Sequence, residues 1–418
     1  MKLIKPFRGL RPTRELAARV ASHPYDVLNR DEAYELAKDN PHSFLHINKP
    51  EVDVDPSMSV YDPRVYQKGA ENLQRFIAEG ILNRDEADQF YVYQQQMGAH
   101  VQVGLVAVAS VAAYESGLIK KHEFTRPEKE DDRVHHMDAL GAQVGPVFLT
   151  YKAEDSINAL IAGIISKTPE YDFSADDGTR HTFWLIPDAA TTAQLEKQFN
   201  ALPCLYVADG HHRSAAASRV QKLREARNEV HNGDESYNWF LVVLFPHDQM
   251  QILDYNRIIQ DLGDYSATQF IDALRENFDV EEADDHRAAK PTAARQFALY
   301  LDKKWYRLAV NGALAAKIDD QDPVQSLDVS IMQQAILTPL LGIEDQRTDK
   351  RIDFVGGIRG LGELEKRVDS GEWQAAIALY PTSIESLMDI ADANEVMPPK
   401  STWFEPKLKS GLVTHVLD

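Results

Sequence analysis

The stretch Trp239-Phe240-Leu241-Val242-Val243-Leu244-Phe245 is apolar without interruption. A strand with one wet face alternates polar and apolar residues, whereas a strand covered on both faces does not. The run therefore predicts a central strand, and it places a sheet in the middle of the first structural unit. Residues 89–114 alternate and turn like two strands joined at Met97-Gly98. Helical spacing covers residues 65–79, 154–166, 191–200 and 214–226, with strands predicted at 182–186 and 204–208. Asn29 and Glu32 have the spacing of a capping box at the start of a short helix.

Beyond Asp264 the pattern continues with a helix at 269–277, strands at 298–301 and 306–310, and a helix at 327–341. The expected architecture is α/β with a mixed sheet. Residues 1–264 form an N-terminal unit, and residues 265–418 form a second, smaller α/β unit whose tail returns to the active cleft. A chain of 418 residues is long enough for two or three such cores.

Charge excludes several function classes. The chain has 45 Lys and Arg against 65 Asp and Glu, a formal net charge of −20, and such a field repels nucleic acid and anionic membranes. Residues 1–8 lack the apolar core of a signal peptide, and no window approaches a membrane span, so a cytoplasmic protein is expected. Cys204 is the single cysteine, which rules out an intrachain disulfide and a thiolate-rich zinc site; its apolar neighbours suggest inert core.

Two segments carry chemistry. Tyr206-Val207-Ala208-Asp209-Gly210-His211-His212-Arg213 reads as a strand that ends in a tight turn and feeds a helix of small residues. Gly210 allows a ligand close to the backbone, and the first helical N–H groups have no intrahelical partner, so the turn suits an anion. Arg213 offers a fork of donors for phosphate oxygens, with His211 or His212 supplying more. The alternative is that Asp209 is an ordinary N-cap. The second segment is Lys121-His122-Glu123-Phe124-Thr125-Arg126, where Glu123 is the candidate general base; taken alone it also reads as a solvated charge run. Asp26, in His23-Pro24-Tyr25-Asp26, reads as turn chemistry that could face a cleft.

Together with Met397-Pro398-Pro399-Lys400-Ser401-Thr402-Trp403-Phe404 near the end, these motifs resemble the archaeal free serine kinases of the ParB/sulfiredoxin-like superfamily. Over nearly its full length the chain is more similar to a bacterial domain-of-unknown-function family, number 1015 in its series, that carries all three motifs. The resemblance implies a ParB/sulfiredoxin-like core and a kinase that phosphorylates free L-serine to O-phosphoserine. It implies Glu123 as catalytic base beside His122, and Gly210, His211, His212 and Arg213 on the donor phosphates. Asp209 becomes a catalytic residue and a ligand for Mg²⁺, and Lys400, Ser401 and Thr402 line the acceptor pocket. ATP, ADP and pyrophosphate remain open as donors, and the motifs do not fix the oligomeric state.

Other readings start from the same residues. Sulfiredoxin chemistry needs a cysteine in the turn, where His211 stands. A ParB-type switch on DNA meets the charge of −20 and the lack of a basic helix-turn-helix. A metal hydrolase would draw on His122, His135, His136, His211 and His212, but adjacent helical histidines point about 100° apart. The glycines from Gly356 to Gly362 do not fit a dinucleotide-binding fingerprint in register. A non-catalytic nucleotide or amino-acid sensor would use the same pocket, and turnover separates it from an enzyme.

Overall fold

The computed structural model describes residues 1–418, which pack as two units, Met1–Met250 with Pro406–Asp418, and Gln251–Glu405. In chain order the first unit contains β1 (Ile4–Lys5), α1 (Arg30–Ala37), α2 (Pro63–Ala78), β2 (Phe90–Met97), β3 (His100–Ser110), β4 (Ile119–Lys120) and α3 (Pro127–Leu140). There follow β5 (Val147–Tyr151), α4 (Asp155–Ile165), β6 (Tyr171–Ser174), β7 (Arg180–Ile186), α5 (Ala189–Phe199), β8 (Leu205–Asp209), α6 (His211–Arg227) and β9 (Trp239–Pro246).

These strands form a nine-stranded mixed sheet in the order β4-β8-β5-β9-β3-β2-β7-β6, with β1 pairing β3. The apolar run at Trp239 is its interior: β9 pairs β5 in parallel and β3 antiparallel, and residues 240–245 are all buried. Burying each such large apolar side chain contributes roughly 1.5–3 kcal/mol. Gly104 on β3 is required there. A Cβ at that position would stand 2.8 Å from Val243 Cγ1 and 2.9 Å from the Phe245 ring.

The capping box of α1 has both arms, Asn29 accepting from the Glu32 N–H and Glu32 accepting from the Asn29 N–H. The charge run after Arg126 is in fact a helix, α3. Pro127 opens it, Glu128 and Glu130 sit in its first turn, and Gly141 at φ 61° ends it. Cys204 stands just ahead of β8 and is only half-buried, so it is not core.

The C-terminal segment is laced into the first unit by backbone pairs. Ser410 exchanges two hydrogen bonds with Ser22, Thr414 exchanges two with Leu10, and His415–Val416 pairs Gln143 and Ala142. This register carries Lys407 and Lys409 to the sheet, where the Lys407 carbonyl accepts from Gln95 Nε2 at 2.9 Å.

The second unit is built on an antiparallel sheet of β10 (Tyr255–Ile259), β11 (Phe278–Ala283), β12 (Gln296–Leu301), β13 (Lys304–Val310), β14 (Ile352–Gly356) and β15 (Ala375–Leu379). Its order is β11-β13-β12-β15-β10-β14. The division therefore falls at Met250 rather than Asp264, because β10 pairs β14 and β15. The expected helix at 327–341 forms with a π turn at Gln333–Leu337, just ahead of Pro339, which has no N–H for the carbonyl one turn back.

Arg257 on β10 is fully buried with no carboxylate partner. Its guanidinium donates to Gln346 Oε1 at 3.0 Å, to the Lys400 carbonyl at 3.0 Å, to the Pro399 carbonyl at 3.1 Å and to the Tyr255 carbonyl. Burial pushes its pKa down to about 9.

Three buried histidines of the first unit make its stability pH-dependent. Burial lowers His136 and His181 to about 3 and His415 to about 4. Unfolded imidazoles titrate near 6.5, so between 6.5 and the folded values the unfolded chain binds more protons. Their contribution is complete above pH 6.5 and is lost as pH falls from there toward 3–4, by about 1.4 kcal/mol per pH unit for each histidine. The denaturation midpoint is expected to be flat above pH 7 and to fall steeply below 6. Urea melts across that range check it.

Candidate functional site

The two chemical segments meet at the end of β8. A β-bulge between Val207 and Asp209 breaks the pairing with β5, re-aiming the last residues of the strand. Gly210 follows at φ 103°, ψ 30°, a left-handed conformation that costs side-chain-bearing residues energy, and it is the N-cap of the 17-residue α6. No side chain caps this helix. Asp209 is therefore not an N-cap. Its carboxylate accepts from Lys407 Nζ at 3.1 Å and lies 3.9 Å from Arg213 Nη2.

Burial alone would raise the Asp209 carboxyl. Lys407 and Arg213 outweigh it and hold the group well below the usual carboxylate range.

Arg213 is buried directly behind the glycine. A Cβ on Gly210 would stand 3.1 Å from the Arg213 Cζ and Nε, so glycine lets the guanidinium close against the turn. Its Nη1 donates to the Pro146 carbonyl, its Nη2 also lies 3.9 Å from Asp26 Oδ2, and its Nε has no hydrogen-bond partner. A buried donor without a partner is costly, on the order of 1–3 kcal/mol, and such atoms often mark ligand sites.

His122 and His211 pack ring edge to ring face at 4.5 Å between centroids, 85° apart in plane. Both are buried, at 1% and 6% exposure. Neither nitrogen of His211 has a partner, and the His122 ring faces the Val207 backbone without a well-formed hydrogen bond. Burial pushes His122 down to about 3 and His211 to about 4, so both imidazoles are neutral at pH 7. Glu123 is half-buried beside them in the loop before α3.

His212 points elsewhere, its Nε2 accepting the Arg126 N–H at 3.0 Å. His136 bonds the Ile47 carbonyl, and His135 lies against Tyr66. Of the five histidines grouped by sequence, two come together.

Lys400, Ser401 and Thr402 belong to the second unit. There Lys400 adopts φ 58° with its Nζ over the Tyr255 ring at 5.6 Å, and Ser401 Oγ donates to the Pro398 carbonyl at 2.7 Å.

Sequence reasoning missed two lysines and undervalued Asp26. Lys407 neutralises Asp209, and Lys409, 6% exposed, donates to Asp177 at 3.1 Å near the His23 ring. No local sequence signal marks either lysine, because both are brought in by the long-range pairing of the terminal segment with Ser22 and Leu10.

The metal expected at Asp209 fits poorly. The one carboxylate there is already held by a lysine and flanked by an arginine, so those cations compete with the ion for it. No helix is long and apolar enough to cross a membrane.

Solved structures similar to this chain include a free serine kinase in complex with AMP, at 14% identity and a TM-score of 0.35, covering 74% of this chain and 91% of that one. SbnI with C-terminal truncation from Staphylococcus aureus matches at 10% identity and 0.36, covering 72% and 82%. A conserved hypothetical protein from Pyrococcus furiosus matches at 15% and 0.32, covering 72% and 90%. Likeness this loose says nothing about chemistry, and the site rests on its own geometry. No curated protein matches the sequence. The model of the family described as Protein of unknown function (DUF1015) matches residues 4–330, the same family that the three motifs resemble, and the chain belongs to it.

Proposed function

We propose that the first unit transfers a phosphoryl group from ATP, ADP or pyrophosphate to the hydroxyl of a small metabolite, with free L-serine as the leading acceptor. The observation that carries this reading is the uncapped start of α6. A left-handed glycine, a buried Arg213 with an unpartnered Nε, and Lys407 one side chain away converge on one point. Phosphate is an anion that such a set of donors binds well.

In this reading the donor phosphates lie on the backbone of Gly210, His211 and His212 and on Arg213. The acceptor hydroxyl gives its proton to Glu123 as its oxygen bonds the phosphorus. The bond from that phosphorus to the bridging oxygen breaks, and the shortened nucleotide or phosphate leaves with the electron pair. Neutral His122 and His211 keep the base in a weakly polar surround.

Calorimetric titration of ATP, ADP and pyrophosphate tests the donor site. At least one of the three is expected to bind, and Arg213→Ala to weaken it about 10- to 100-fold, the loss of a charged hydrogen-bond donor worth roughly 1.5–3 kcal/mol. Serine affinity should be unchanged. No binding by any of the three, or undiminished binding in Arg213→Ala, overturns the reading.

A further inference from the structure

We propose that His122, Glu123 and His211 form a binding site for a divalent transition-metal ion of the zinc class, with a coordination position left open to a ligand. Their candidate donor atoms, two imidazole nitrogens and a carboxylate oxygen, all lie within 4.8 Å of one another. Ligands 2.0–2.2 Å from a tetrahedral ion stand roughly 3.4 Å apart, so side-chain rotation of about an ångström closes the set. Two imidazoles and a carboxylate are the donor set of open zinc sites and disfavour magnesium, which takes oxygen ligands.

The independent sign is the state of the histidines. Both rings are more than nine-tenths buried, and both His211 nitrogens lack a hydrogen-bond partner inside the protein. Two buried imidazoles edge to face, neither with a well-formed hydrogen bond, are an expensive arrangement for packing alone. An ion bound by one nitrogen of each removes part of that cost. The contrast with His136 is instructive, since that equally buried ring spends its Nε2 on the Ile47 carbonyl at 2.9 Å.

The site stands independently of phosphoryl transfer. If both hold, Glu123 bound through one oxygen keeps the other to accept the acceptor's proton.

The test uses the full chain, stripped by a chelator and titrated with Co²⁺, whose ligand-field bands in the visible report coordination by nitrogen and oxygen. Wild type is expected to take one equivalent, displaced by Zn²⁺. His211→Ala should lose the bands, and the half-exposed Glu123→Ala, which leaves the packed rings in place, should weaken binding at least 10-fold. His136→Ala should retain the bands, and far-ultraviolet circular dichroism checks that each variant is folded. A wild-type protein without the bands overturns the site even if it phosphorylates serine. Unchanged affinity in Glu123→Ala together with His211→Ala overturns it as well. Binding in a protein that shows no turnover supports the metal site and counts against the kinase alone.

Discussion

Under the proposed function, Glu123→Gln is expected to lower the rate of serine phosphorylation by about 10²- to 10⁴-fold, the usual contribution of a positioned base, and to leave donor affinity as it was. The amide keeps the shape of the side chain and removes its capacity to take a proton. Donor binding is proposed at the start of α6, so affinity and rate should separate. Steady-state kinetics with calorimetry on the same preparation checks this. Wild-type turnover in Glu123→Gln removes the residue from the chemistry.

Arg257→Ala is expected to destabilise the second unit by about 3–5 kcal/mol. Four acceptors from β10, residue 346 and the loop at 399–400 converge on this one guanidinium. Removing it leaves buried carbonyls without donors, each costing on the order of 1–3 kcal/mol, offset in part because the buried cation and its own desolvation also disappear. Amide hydrogen exchange should quicken along Tyr255–Ile259, and proteolysis should begin near residues 398–402. Exchange at wild-type rates in that strand contradicts the assignment of Arg257 as the tie for this loop.

What the sequence made legible was whatever is written locally. The Trp239 run announces its own burial, the Asn29 and Glu32 pair announces a cap, and the order of residues at Gly210 announces a strand that turns at a glycine into a helix. Helix α3 was hidden because its inward face carries Asp132 and His136 among Val134, Met137 and Leu140, so the apolar period is broken. Asp132 is satisfied by Arg133 and by the Tyr66 hydroxyl at 2.9 Å, a partner 66 residues away. Pro127 and Gly141 were the readable signs of that helix, and they outweigh the period when the buried face is polar.

The partners of the site were illegible for a related reason. Lys407 reaches Asp209 across 198 residues only because the terminal segment pairs with Ser22 and Leu10. Nothing in the neighbourhood of Lys407 encodes that register. The pairing of His122 with His211 is likewise a product of β4 lying beside β8 in the sheet, which sets the loop after one strand against the helix after the other.

The most direct measurement is phosphorus NMR of the purified chain in magnesium buffer with L-serine and, in separate tubes, ATP, ADP or pyrophosphate. The account predicts a serine-dependent phosphate-ester signal with one of the three donors, diminished in Glu123→Gln. No ester signal with any donor, from a protein that binds one of them, would contradict catalysis at this site and leave a sensor of the same ligand.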